Sequence, residues 1–309
     1  MKFLKKLSTL AVVLVLLLTS CYIEGYNSIL SNLTSNFSST SYAASSDFKI
    51  KNGVLTKYTG KSSKITIPSS VKTIGDNAFK GNRYIKTIKI PSSVKTIGKY
   101  AFAFSSLSSV TISNGVTTIK DHAFFCTDLK KVTIPKSVNY IGKYVFNRCI
   151  SLQNVTVSSS NAYYTSVSGV LFNKSKTKII QFPTSKTCTT YTIPSTVKTI
   201  DDGAFAFSGL SKINLPKKLK TIGNCAFYKN DNLNYLIIPE GVKSLKADTF
   251  ILSRGLKYVQ IPKSMTYIEK GTFDESGCGM WVGGTYIKGY MGSYAQSYAQ
   301  KYNIKFVPK

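Results

Sequence analysis

Few side chains in this 309-residue sequence could carry out catalysis. His122 is the only histidine and no Gly-x-Ser-x-Gly segment precedes a helix, so a serine–histidine relay would have to be built on this one residue. Asp201-Asp202 lie in a predicted extended turn, where neighbouring side chains point to different sides, and Asp274-Glu275 lie in an irregular segment. No phosphate-binding glycine loop or zinc-type spacing is present. The sequence therefore predicts a protein that is not an enzyme and that has no catalytic residues, cofactor or metal site.

The cysteines are predicted to be structural, apart from one near the N terminus. They are Cys21, Cys126, Cys149, Cys188, Cys225 and Cys278. No Cys-x-x-Cys spacing occurs, and the odd number beyond Cys21 leaves at least one thiol unpaired within a single chain. We therefore expect buried thiols rather than redox chemistry or metal binding.

Lysine is the charged side chain that the sequence has in excess. The chain carries 41 Lys and Arg against 13 Asp and Glu, a formal net charge of +28, which concerns solubility and partners rather than fold. Five lysines recur at equivalent positions and are called the lysine column: Lys72, Lys95, Lys198, Lys220 and Lys243. One interpretation is that they keep a β-rich surface soluble and discourage edge association. The other is salt-sensitive binding of anionic polymers such as teichoic acid, acidic polysaccharide, extracellular DNA or glycosaminoglycan, without a dedicated nucleic-acid site.

These residues are placed by an internal repeat. The pattern Ile-Pro-x-x-Val-x-x-Ile-Gly-x-x-Ala-Phe is clearest at residues 90–102. Its last residue recurs as Phe79, Phe102, Phe124, Phe146, Phe205, Phe227, Phe250 and Phe273, at steps of 22 or 23 residues with one interval of 59. Such a period is typical of a solenoid, in which each coil buries its apolar side chains only against its neighbours.

Each repeat predicts the path of one coil. An alternating run such as Ile88-Lys89-Ile90 predicts a short strand, which proline ends. A second extended piece follows, and Gly98 is expected to let the chain bend into a helical or 3₁₀ turn that presents Ala101-Phe102 inward. About nine coils, stacked at roughly 4.8 Å, would align these side chains in continuous columns.

The repeat, followed by x-x-Cys-x-x-Leu in copies such as residues 146–152, resembles the BspA-type leucine-rich repeat from about residue 50 to the C terminus. The resemblance implies a right-handed leucine-rich-repeat superhelix, β-rich with short helical or 3₁₀ turns, whose strands line a concave face. It also implies a bacterial surface or secreted protein that acts as an adhesin or interaction module.

The first 46 residues are predicted to serve export and attachment. A lysine-rich start precedes the apolar residues 7–18, which predicts a signal peptide over residues 1–20. Leu-Thr-Ser-Cys resembles a bacterial lipobox and makes Cys21 the predicted lipidation site; cleavage of an ordinary secretory peptide nearby, or near Ala43-Ala44, is the alternative. Residues 21–46 predict a flexible Ser/Thr/Asn tether. The chain would be lipid-anchored on the outer face of a bacterial membrane, touching it only through the anchor, or secreted.

The remaining boundaries follow the repeat. Residues 47–66 predict an N-terminal hairpin cap, residues 65–283 the repeats with a hairpin island near 158–190, and residues 284–309 a C-terminal cap of one helix and one strand. Hairpin turns are predicted at residues 59–62 and 173–176. Ser293 is predicted to precede the final helix as its N-cap.

The predicted contact surface is the outward side of the strands. Three successive repeats place six residues there: Lys212, Asn214, Tyr235, Ile237, Tyr258 and Gln260. Aromatic residues beside amides are typical interface anchors, although strand propensity alone also explains the threonines on this face. The sequence predicts a non-enzymatic cell-surface binding or adhesion module that engages a protein or glycan ligand through the concave strand face. The alternatives are a charge-driven binder of anionic glycans or cell-wall polymers through the lysine column, and a structural surface protein without a specific ligand.

Overall fold

A computed structural model describes residues 43–273 and 285–309. The described part of the chain consists of short β-strands joined by turns, with a 3₁₀ turn at Ser45–Asp47 and one α-helix, α1 (Tyr294–Lys301). The first twelve strands are β1 (Phe48–Lys51), β2 (Val54–Tyr58), β3 (Lys64–Thr66), β4 (Thr73–Ile74), β5 (Thr87–Ile90), β6 (Thr96–Ile97), β7 (Ser109–Ile112), β8 (Thr118–Ile119), β9 (Lys131–Ile134), β10 (Tyr140–Ile141), β11 (Asn154–Val157) and β12 (Tyr164–Val167). The others are β13 (Val170–Asn173), β14 (Lys178–Gln181), β15 (Thr190–Thr192), β16 (Thr199–Ile200), β17 (Lys212–Asn214), β18 (Thr221–Ile222), β19 (Tyr235–Ile237), β20 (Ser244–Leu245), β21 (Tyr258–Gln260), β22 (Tyr267–Ile268), β23 (Tyr286–Gly289) and β24 (Phe306–Pro308).

The strands form two sets of parallel ladders. The long strands pair as β3-β5-β7, β9-β11 and β15-β17-β19-β21-β23-β24, and the two-residue strands extend β2-β4-β6-β8-β10, β14-β16-β18 and β20-β22. Equivalent residues pair one coil apart, as Ile88 does with Val110 and Tyr235 with Tyr258. The predicted β-rich solenoid is confirmed, with about 11 turns rather than about nine.

Between its two-residue strand and the next long strand, each coil makes a succession of turns that carries the Ala-Phe pair. Its backbone joins neighbouring coils, since the Phe79 N–H donates to the Ala101 carbonyl oxygen (2.7 Å) and the Phe102 N–H to that of Ala123 (2.8 Å). The residue two before each phenylalanine has positive φ: Asn77, Tyr100, His122, Tyr144, Gly203, Cys225, Asp248 and Gly271. This left-handed residue makes the bend predicted as helical or 3₁₀.

Gly98 does not provide the bend that the sequence predicts for it. Its φ does not lie in the left-handed region. A Cβ there would lie 2.7 Å from the backbone nitrogen of Asp76 in the preceding coil. Glycine is therefore required by the close approach of two coils, and not by the bend.

The phenylalanine column forms two stacks. The first runs through Tyr58, Phe79, Phe102, Phe124 and Phe146, with ring centroids 4.8 to 5.7 Å apart. The second runs through Phe182, Phe205, Phe227, Phe250 and Phe273, with centroids 5.2 to 5.7 Å apart. Among the described residues the buried side chains likewise form two clusters. The column is therefore divided at the long interval of the repeat, where the sequence predicts the hairpin island.

The interruption is an antiparallel meander, β12-β13-β14. Strand β13 lies at the boundary, because side chains alternate across a strand: Leu171 belongs to the first cluster, and Val170 and Phe172 to the second. Strand β14 then joins the short-strand ladder by pairing with β16, and Phe182 takes the repeat phenylalanine position. The long interval thus contains an additional coil.

Both hairpins that precede these ladders use two-residue turns with positive φ. They are Asn52-Gly53 between β1 and β2 (φ 50° and 73°) and Ser168-Gly169 between β12 and β13 (φ 48° and 81°). The hairpin turn predicted at residues 59–62 is wrong, since β2 ends before it. The turn predicted at residues 173–176 does join β13 to β14.

The C-terminal elements extend the second stack. Helix α1 buries Ala295, Tyr298 and Ala299, and the Tyr298 ring lies 6.2 Å from that of Phe273. Ser293 precedes the helix but makes no side-chain capping bond. In the described ranges, no helix is both long and apolar enough to cross a membrane.

Candidate functional site

The outward side chains of the long strands are called the strand face. From β3 to β23, those that the structure describes include no acidic residue. The residues between them point inward and are mostly buried, as strand alternation requires. The outward lysines are Lys64, Lys89, Lys131, Lys212 and Lys288. The strand face is thus hydroxyl-rich and basic over most coils, and it becomes aromatic at its C-terminal end.

The aromatic part is a tyrosine ladder. Tyr235 and Tyr258 stack with ring centroids 5.3 Å apart and an interplanar angle of 7°, and Tyr286 stacks on Tyr258 at 5.3 Å and 22°. Parallel pairing of β19, β21 and β23 places the three rings in register. Burial raises the pKa of Tyr258, with its two tyrosine neighbours adding to the effect, so its hydroxyl stays a neutral donor near pH 7. Tyr286 was not predicted, because the repeat pattern ends at Phe273 and its register cannot be counted from the sequence.

Five of the six predicted contact residues line one groove of about 610 Å³: Lys212, Asn214, Tyr235, Ile237 and Gln260. Tyr258, the sixth, stands beside it in the tyrosine ladder. The turns after the strands and the last residues of the chain complete the lining with Lys217, Pro239, Glu240, Pro262, Tyr290 and Lys309, among others. The volume is in the range of ligand pockets. This groove is called the strand-end groove.

The strand-end groove is basic. Lys212, Lys217 and Lys309 line it together with Glu240, its one acidic lining residue among those described. The Glu240 carboxylate accepts a hydrogen bond from the Ser264 N–H (3.2 Å), and hydrogen bonding from Ser264 lowers its pKa. Glu240 is therefore ionised and already engaged by its own chain, which leaves the lysines to interact with a ligand.

The lysine column is in register in the coils before and after the meander. The Lys95 N–H donates to the Lys72 carbonyl oxygen, and the Lys220 N–H to that of Lys198, each at 2.8 Å. Lys243 continues the second part, since its carbonyl accepts from the Thr266 N–H. All five side chains are exposed, and within the described residues none of them lies within 4.0 Å of a carboxylate oxygen in an ion pair.

His122 is packed between aromatic rings. Its ring lies 4.5 Å from that of Tyr100 and 5.1 Å from that of Tyr144, and Phe125 approaches it edge-on at 5.4 Å. Burial lowers the pKa of His122. His122 is one of the positive-φ residues that lie two positions before each repeat phenylalanine, and its geometry is that of a packing side chain.

The described cysteines are free thiols, and only Cys149 is fully buried. Burial raises the pKa of Cys149 to about 11 and that of Cys225 to about 11. Cys126, Cys188 and Cys225 are half-buried, so the prediction of burial holds fully for Cys149 alone. No group of three or more His, Cys, Asp or Glu that could hold a metal ion occurs in the described residues. Cys21 and Cys278 lie outside them.

Solved structures of bacterial leucine-rich-repeat proteins are similar to this chain. A leucine-rich repeat protein from Eubacterium ventriosum has a TM-score of 0.63 and 26% identity, with 77% of this chain and 72% of that chain covered. A leucine rich cell surface protein from Faecalibacterium prausnitzii (TM-score 0.52, 23% identity, 82% and 94% covered) and the pneumococcal vaccine antigen PcpA (0.54, 23%, 80% and 79%) share the fold. No curated protein matches the sequence significantly.

The family model described as BspA type leucine rich repeat region matches residues 49–178 and 163–279, with six copies. These ranges cover most of the chain and coincide with the ladders and stacks of the solenoid. Proteins of this type are typically found at the cell surface. The chain therefore belongs to the BspA-type leucine-rich-repeat family.

Proposed function

We propose that the chain is a non-enzymatic cell-surface binding or adhesion module that engages a macromolecular partner through the C-terminal part of its strand face. The observation that carries this proposal is the strand-end groove, which unites Lys212 of β17 with Tyr235 and Ile237 of β19 beside the tyrosine ladder. The family and its cell-surface relatives support the same kind of activity.

A protein partner suits this surface best. Tyrosine and exposed aliphatic side chains next to amides make good interface anchors, because they bury large apolar areas while their polar ends keep hydrogen bonds. Ile237 is 46% exposed on the free protein, in a row where other coils carry Thr, Lys, Asn or Gln. Its burial by a partner would contribute favourable free energy.

The test is a binding screen of residues 43–309, which lie within one compact unit, against extracellular-matrix proteins and anionic glycans at low and high salt. The double variant Tyr235→Ala/Tyr258→Ala should weaken a protein partner at both salt concentrations. The matched control is Tyr84→Ala/Tyr140→Ala, which removes two exposed tyrosines elsewhere. Equal binding by both double variants and the unchanged chain would remove the strand face from consideration.

A second candidate function rests on the lysine column. Its lysines make no ion pair with a described residue and recur in adjacent coils as Lys72 and Lys95 and again as Lys198, Lys220 and Lys243. Such an array suits a linear polyanion such as an anionic glycan or cell-wall polymer, whose binding would fall steeply with salt. Reversal of Lys72 and Lys95 to Glu should weaken such binding, whereas the tyrosine variants should leave it unchanged.

Export and anchoring are part of the proposal. A signal peptide at residues 1–20, lipid attachment at Cys21 and a tether to residue 46 would hold the solenoid outside the membrane. Expression of Cys21→Ala in a bacterial host tests this, since the variant should leave the membrane fraction while the unchanged chain stays in it.

A further inference from the structure

We propose that the strand-end groove receives an extended acidic segment of the partner protein, whose carboxylates pair with Lys212 and Lys217 while a neighbouring apolar side chain packs on Ile237. The inference rests on the proposed function and names the chemistry of the partner at that same site. It also extends the contact from the strand face to the turns that follow the strands.

The position of the groove follows from the repeat. Lys212 and Asn214 are outward residues of β17, and Lys217 lies in the turn after that strand. The corresponding turns after β19 and β21 contribute Pro239 and Pro262. The groove thus spans three coils along the row of turns, a length suited to several residues of an extended chain.

Charge selects an acidic occupant. Among the described lining residues, the lysines of the groove face a single side-chain carboxylate, that of Glu240, which accepts from the Ser264 N–H. The Lys309 ammonium donates to the Tyr290 hydroxyl (2.9 Å) and makes no ion pair with a described residue. Electrostatic complementarity therefore favours carboxylates on the partner and disfavours a basic segment.

The apolar floor selects a protein segment over a simple polyanion. Ile237 is exposed between the buried Leu236 and Ile238, and Pro239 and Pro262 also line the groove. A polyanion without apolar groups would leave this surface uncovered, whereas a bulky side chain between two acidic residues would bury it.

The tyrosine ladder argues against a neutral sugar. Sugars pack on the faces of aromatic rings, but both faces of Tyr258 are covered by Tyr235 and Tyr286. Tyr258 therefore presents its ring edge and hydroxyl group, which suit side chains and backbone groups of a polypeptide, and only the terminal rings of the ladder keep a face that no tyrosine covers.

The experiment is selection of a random peptide library displayed on phage against the full chain, followed by fluorescence anisotropy with the selected peptides. Enriched peptides should carry Asp or Glu on either side of a bulky apolar residue. Lys212→Glu/Lys217→Glu should weaken the selected peptide at least roughly tenfold, and Ile237→Ser should weaken it at unchanged net charge. The control Lys49→Glu/Lys51→Glu makes the same change in net charge on exposed residues of β1 and should bind normally.

Three results would overturn the inference: no enrichment, enrichment of basic or neutral peptides, or equal weakening by the control pair, which would indicate a general polyanion effect. Failure here is distinguishable from failure of the proposed function. If a matrix protein is lost by Tyr235→Ala/Tyr258→Ala but retained by Lys212→Glu/Lys217→Glu, the strand face binds and the acidic segment is refuted. If neither pair affects any partner, the proposed function fails as well.

Discussion

Replacement of Gly203 by alanine tests how the two halves of the solenoid meet. Gly203 has φ +66°, and a Cβ there would lie 2.9 Å from Tyr144 Cδ1 and would collide with the Asn147 side-chain amide. Gly81 has φ +72° but no neighbour within 4 Å of the same Cβ, so Gly81→Ala is the matched control. Both variants impose a left-handed alanine, and only Gly203→Ala also displaces Tyr144 and Asn147 from across the meander.

The size of the effect follows from these contacts. A left-handed alanine costs about 1–2 kcal/mol, partly offset by lower entropy of the unfolded chain, so Gly81→Ala should lower the free energy of unfolding by about 1 kcal/mol. Gly203→Ala adds about 1–3 kcal/mol of overpacking and about 1 kcal/mol for the hydrogen bond from the Asn147 amide to the Gly203 carbonyl oxygen (3.3 Å). Its total loss should be roughly 3–5 kcal/mol.

Thermal unfolding followed by circular dichroism measures the difference. Gly203→Ala should lower the midpoint by roughly 10 °C and Gly81→Ala by about 3 °C. Adding Asn147→Ala to Gly203→Ala should recover part of the loss, since it removes one of the two obstructing side chains. Equal midpoints for the two glycine variants would refute the direct packing of the coil of Tyr144 against that of Gly203.

Three further predictions concern buried groups. Phe102→Ala should lower the free energy of unfolding by about 3–5 kcal/mol in urea denaturation, because the ring is stacked on both sides, whereas the exposed Phe104→Ala should cost far less. The free energy of unfolding should fall as pH drops below about 6.5, because unfolded His122 then binds a proton that its lowered folded-state pKa excludes; His122→Gln should remove this component, and an unchanged pH profile would contradict it. Cys149, with its pKa raised to about 11, should resist iodoacetamide at about pH 8 while half-buried Cys126 reacts, as peptide mass spectrometry can measure; comparable rates would be inconsistent with its burial.

The features of the fold that could be predicted are those that depend on sequence periodicity. Alternation in runs such as Ile88-Lys89-Ile90 places side chains on opposite faces of a strand. The recurrence of a phenylalanine equivalent to Phe102 every 22 or 23 residues implies that coils of equal size stack on one another. Both features concern residues close in sequence or related by the repeat. For this reason the register of β5 with β7, and of Tyr235 with Tyr258, agrees with simple counting.

The left-handed residue of each coil could not be predicted from residue types. Glycine and asparagine, which favour positive φ, occupy only some of these positions, and Tyr100, His122 and Cys225 occupy others. Hydrogen bonds between neighbouring coils hold the backbone in this conformation whatever the side chain, so the composition of one position carries little signal.

The amino-acid sequence by itself determined the repeat, the inward and outward faces of the strands and five of the strand residues that line the strand-end groove, because these depend on period and alternation. Only the tertiary structure decided that Phe182 begins the second stack and that β13 divides the core, since both depend on how an irregular segment enters an existing ladder. It also brought Tyr290 and Lys309 to the groove beside Lys212. No period relates those residues, and their proximity results from how the final strands pack against the last coils.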